Sequence, residues 1–94
     1  MSIPVNTNAQ ESLIDYPCDF PIKVFGKTEQ GLLQAVIDVV LQHDPAFTVA
    51  NITMRTSKTA KYISLTCTVS ATSRLQLDAI YQALYDHPLV TMVL

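Results

Sequence analysis

The chain has 94 residues, of which 49% are hydrophobic, and six lysines and arginines stand against eight aspartates and glutamates. That length fits one domain whose single core needs no disulfide or metal staple. A net charge of −2 argues against a generic nucleic-acid binder, which carries a strongly basic balance, and no run approaches the ~20 apolar residues of a membrane span.

Residues 1–12 are polar, aperiodic and rich in Asn, Thr, Gln and Ser, and are expected to form a flexible N-terminal tail. They lack the basic start and apolar stretch of a secretory signal. Two cysteines, Cys18 and Cys67, make neither a disulfide framework nor a metal site. A cytoplasmic protein is the simplest expectation. Residues 13–94 read as the domain, with Leu13, Ile14 and Tyr16, followed by Pro17, as an anchor packed before the first strand.

The first strand sets Phe20, Ile22 and Val24 against Pro21, Lys23 and Phe25, a period of two that puts each set on its own face. Gly26 ends it. Thr28 is the expected N-cap of a helix running from Glu29 to about His43, with Leu33, Val36, Ile37 and Val40 at helical spacing. Leu32 and Val39 widen that stripe, and Asp44-Pro45 stops the helix. The second strand, about Phe47 to Thr56, changes phase between Val49 and Ile52, which predicts a β-bulge near Ala50-Asn51.

A turn over Ser57-Lys58-Thr59-Ala60 leads to the cleanest strand, where Ile63, Leu65, Cys67 and Val69 alternate with Tyr62, Ser64, Thr66 and Thr68. Ser73 with Gln76 forms a capping box for a helix carrying Leu77, Ile80, Tyr81 and Leu84. Asp86-His87-Pro88 ends it, and Leu89 to Leu94 supply the last strand. The order strand, helix, strand, strand, helix, strand is that of an α+β, ferredoxin-like βαββαβ sandwich. Its four-stranded antiparallel sheet has the expected order 4-1-3-2, with both helices on one face. Lys23, Phe25, Tyr62, Ser64, Thr66 and Thr68 occupy the other.

Nothing in the sequence points to catalysis. It has no Gly-rich phosphate loop, no nucleophile elbow and no ligand-spaced His or Cys pair, so neither a metal nor a cofactor is expected. His43 and His87 end helices, where a cation meets the negative end of the dipole. Cys67 falls on the core-facing set as a small buried hydrophobe.

Two binding surfaces stand out. The open sheet face offers Phe25 and Tyr62 for base stacking, the basis of an alternative reading as an RNA-binding module. The basic-aromatic run of an RNA-recognition motif is missing, however, with Ser64 and Thr66 in its place. The second surface follows from topology. The loop after strand one, the hairpin between strands two and three and the turn before strand four share one end. They collect Lys27, Arg55, Lys58, Lys61 and His87, four of them among the six lysines and arginines. Beside the first helix's N-terminus, this end suits an anionic metabolite or an acidic protein surface. The plainer reading of the same charges is a solvated hairpin tip. The edge strands, including Val90, Met92 and Leu94, leave room for a homodimer.

The run Asp15-Tyr16-Pro17-Cys18-Asp19-Phe20-Pro21-Ile22-Lys23-Val24-Phe25-Gly26 resembles the opening of the YbeD-like family of small bacterial proteins of unknown function. So do the stretch Ser57 to Leu65 and the ending His87-Pro88-Leu89-Val90-Thr91-Met92-Val93-Leu94. The resemblance spans about Leu13 to Leu94. It implies a cytosolic ferredoxin-like domain, similar to ACT-type regulatory domains that bind amino acids or mediate subunit contacts, with no catalytic residues. Gly31-Leu32-Leu33 resembles the opening of the first ACT helix, near the ligand site, and adds Gly26, Lys27, Thr28 and Gly31 to the candidate binding residues. The family's hairpin usually has glycine where this chain has Ala60.

Overall fold

Alternating apolar and polar side chains become a sheet buried on one face. A computed structural model describes residues 15–28 and 31–94. The expected tail, Leu13 and Ile14 of the anchor, and Glu29 and Gln30 lie outside them. Strand β1 (Cys18–Lys27) pairs antiparallel with β3 (Tyr62–Ala71) over its whole length, from Cys18 opposite Ala71 to Lys27 opposite Tyr62. Strand β2 (Ile52–Thr56) joins the free side of β3, and β4 (Val90–Val93) joins that of β1. The resulting order, β2-β3-β1-β4, is the expected 4-1-3-2 read in reverse.

Helices α1 (Leu32–Leu41) and α2 (Arg74–Asp86) bury their apolar stripes against the sheet. Leu32, Val36 and Val40 of α1 meet Leu77, Ile80 and Leu84 of α2 in one core with Ile22, Val24, Leu65, Cys67 and Val69. Each such aliphatic side chain contributes about 1.5–3 kcal/mol by leaving water. Tyr16 packs against the rim of this core, as its place in the anchor predicts.

Four local expectations are corrected. Thr28 does not cap α1; its N–H is donated to the Lys61 carbonyl at 2.9 Å, which ties it to the sheet. The helix begins after Gly31, whose φ of 72° lies in the left-handed region, a conformation glycine adopts without a Cβ penalty. Leu32 rather than Leu33 is the deepest residue at that end, so the buried row runs Leu32, Val36, Val40. The phase change before β2 is a 3₁₀ turn, Val49–Asn51, in place of a bulge. Thr48 and Asn51 close it, with the Ala50 N–H donated to Thr48 Oγ1 and the Thr48 N–H to Asn51 Oδ1. Phe47 is buried ahead of that turn and belongs to no strand.

The last correction concerns the α2 box. The Gln76 N–H is donated to Ser73 Oγ at 3.0 Å, as expected, but Gln76 Oε1 accepts from Thr72 N–H at 2.7 Å instead of from Ser73. Its Nε2 reaches the carbonyls of His43 and Ser70. The half-box therefore doubles as a clasp joining the end of α1, the end of β3 and the start of α2.

Candidate functional site

The β2–β3 hairpin is built around a tight turn in which the Ala60 N–H is donated to the Ser57 carbonyl at 2.9 Å. The Ser57 N–H bonds the Tyr62 carbonyl, and the Tyr62 N–H bonds Ser57 Oγ. Ala60 holds a φ of 60°, in the left-handed region that glycine adopts without a Cβ penalty. Lys58 and Lys61 stand exposed on this tip.

Register decides what the tip adjoins. Lys27 stands opposite Tyr62, and Phe25 opposite Ser64, which in turn stands opposite Arg55. Period two then sets Phe25, Lys27, Arg55, Tyr62 and Ser64 on the open face. There Phe25, Arg55, Ser57, Tyr62 and Ser64, with Thr56 and Ile63, border a depression of about 330 Å³. Two readings that the sequence keeps apart, a basic end and an aromatic sheet face, thus describe one place. Among the described residues, none of Lys27, Arg55, Lys58 and Lys61 forms an ion pair, whereas Arg74 pairs with Asp78.

The other candidates lie differently. Gly26 is buried, and a Cβ there would stand 2.6 Å from the Leu89 carbonyl oxygen and 2.8 Å from Leu32 Cδ2. Its small size lets the turn before β4 and the start of α1 close on β1. Gly31 opens α1 in the helical layer, behind the sheet from the depression. His87 is held in the turn into β4, its Nδ1 accepting from the Leu89 N–H at 3.1 Å. The sequence places Ser64 on the open face and Ser57 in the hairpin turn but singles out neither as a site residue, because membership of the depression depends on register across three strands.

Cys67 is fully buried, and burial pushes its thiol from an ordinary value of 9.0 up to about 11. Burial also raises the Tyr81 phenol, whose hydroxyl donates to the Leu94 carbonyl at 3.4 Å. Among the described residues, no three His, Cys, Asp or Glu side chains converge as metal ligands. No helix among them is long and apolar enough to cross a membrane.

Comparison with known proteins places the chain. Residues 11–94 match the DUF493 family, described as a protein of unknown function. The chain belongs to the DUF493 family. A DUF493-like relative, a UPF0250 protein of Nitrosomonas europaea, is 55% identical over 85 residues, covering 90% of this chain and 98% of its own. A UPF0250 protein of Bordetella parapertussis is 55% identical over 89 residues, covering 95% and 98%. The solution structure of HP0495 from H. pylori superposes with a TM-score of 0.67 at 19% identity, over 86% of this chain and 85% of that one. That likeness concerns the fold, and it shows the DUF493 chain to be ferredoxin-like. The YbeD-like resemblance is thereby borne out.

Proposed function

We propose that this DUF493 chain is a non-enzymatic, cytoplasmic binding module of regulatory, ACT-like type. Its hairpin end captures an anionic small molecule or an acidic protein surface. One observation carries the reading: cations without ion-pair partners among the described residues flank a concave, aromatic-edged patch. An anion there gains charge-assisted hydrogen bonds from Arg55 and hydroxyl contacts from Ser57 and Ser64, while Phe25 and Tyr62 exclude water from one side. Lys27, Lys58 and Lys61 raise the local concentration of negative partners without fixing their geometry.

The test is calorimetric titration with citrate and with poly-L-glutamate, using wild type and the Arg55→Glu, Lys58→Glu double variant. Binding that weakens with ionic strength and disappears in a folded double variant is the expected result. Undiminished binding by that variant overturns the assignment. The stacking edge of Phe25 and Tyr62 gives RNA a specific second claim on the same depression. Single-stranded RNA retained by wild type and released by Tyr62→Ala selects that reading instead.

A further inference from the structure

We propose that the free edge of β2 accepts an extended acidic segment of a partner protein as a fifth strand of the sheet. The inference rests on the anion-binding reading above and specifies its partner. The Ser57 N–H to Tyr62 carbonyl bond makes those two a hydrogen-bonded pair. In an antiparallel ladder such pairs alternate, so Arg55 with Ser64 and Thr53 with Thr66 are bonded in turn. Ile52, Met54 and Thr56 therefore face away from β3; the Ile52 N–H is taken by the Val49 carbonyl, but the Ile52 C=O and the N–H and C=O groups of Met54 and Thr56 have no backbone partner among the described residues, an open edge about 14 Å long.

This edge lacks the usual guards against strand addition. It has no proline and no bulge, no inward-pointing charge, and only one charged side chain, Arg55. Its two faces differ in chemistry. On the open face stand Thr53 and Arg55, continuous with the depression and with Lys58 of the tip. On the helical face Ile52 is half-buried, while Met54 remains 53% exposed although its partner Leu65 is fully buried. An added strand that alternates carboxylate and aliphatic side chains satisfies both at once, its acids facing Arg55 and its aliphatic groups covering Met54.

Charge complementarity selects an acidic partner over a second copy. Two β2 edges paired about Met54 set their Arg55 side chains as diagonal neighbours on the same face in the antiparallel arrangement. Like charges so placed oppose pairing.

The experiment uses the full chain and an acetylated, amidated hexapeptide alternating valine and glutamate, with a valine–lysine hexapeptide as control. Fluorescence anisotropy should show the glutamate peptide bound and the lysine peptide not. Met54→Pro removes an outward N–H at a position where an edge strand tolerates proline. It should weaken the peptide by about tenfold or more, while citrate binding, which needs no strand, stays as in wild type. Met54→Asp leaves the backbone intact and repels the acidic strand, so a loss of peptide binding there tests the same edge if the proline variant fails to fold. Peptide affinity unchanged in these variants, equal binding of the lysine peptide, or no peptide binding by wild type each overturns the inference. So does a wild-type dimer in sedimentation that Met54→Pro dissociates, which assigns the edge to a second copy. Retained citrate binding in those cases leaves the anion-binding reading standing. Citrate and poly-L-glutamate both failing to bind removes that reading separately.

Discussion

Ala60 shows how one missing hydrogen changes a turn. A non-glycine residue in the left-handed region brings its Cβ close to the following carbonyl, a cost of about 1–2 kcal/mol. Ala60 bears it at a φ of 60° because the surrounding bonds from Ser57 to Tyr62 leave the backbone no other course. Ala60→Gly relieves the contact and returns part of the gain as extra freedom of the unfolded chain, for a net stabilisation of about 0.5–1 kcal/mol. A higher urea midpoint with an unchanged slope is the expected reading, and an equal or lower midpoint shows that no strain resides there. Gly26 is the opposite case, a glycine needed because Leu89 and Leu32 occupy the space a Cβ would fill.

Between elements, Gln76 and Asp44 do the joining. Gln76 links Thr72, His43 and Ser70, while Asp44, 6% exposed, accepts from the N–H groups of Ser70 and Ala46. Gln76→Ala leaves the part-buried His43 carbonyl without its partner and opens the exposed Thr72 N–H and Ser70 carbonyl to water, and should cost about 1 kcal/mol. Thermal unfolding would detect it, and a melting temperature equal to wild type would show that solvent replaces the clasp at no cost. The clasp also marks where legibility in sequence stops. Period two identifies the faces of β1 and β3 without ambiguity, and helical spacing finds α2, because those signals are local. Gln76 is visible as a capping residue, but its reach to His43 depends on how α1 and α2 meet. Thr28 looks like a cap by residue type, yet Gly31 alone fits the left-handed step into α1. The site is legible by halves for the same reason. Arg55, Phe25 and Tyr62 can be named one at a time, but only the register through Ser64 makes them neighbours.

Across the whole molecule, charge and burial set how stability responds to pH. Lys27, Arg55, Lys58 and Lys61 stand at one end of the sheet, while Asp19 stands opposite Ser70 toward the other, so the net charge of −2 is unevenly spread over the surface. In the core, folding keeps the Cys67 thiol protonated until about pH 11, whereas its ordinary value is 9.0. A raised folded-state value contributes stability that is complete below the unfolded value and is lost as pH rises through the folded one. The urea midpoint should therefore fall between pH 9 and about 11, with Cys67→Ala showing a shallower decline and Tyr81 accounting for part of the remainder. Identical pH profiles for the two proteins would rule out burial of this thiol as the cause. The central ladder has a consequence of another kind. β1 and β3 lie on opposite sides of the chain's midpoint, and among the described strands the β2–β3 hairpin is the one local pairing. Distant segments must meet before the sheet's centre gains a bond, so loop closure sets the barrier to folding. A nascent chain released only as far as α1 has no strand to pair with β1, and the order of synthesis leaves the core waiting for β3.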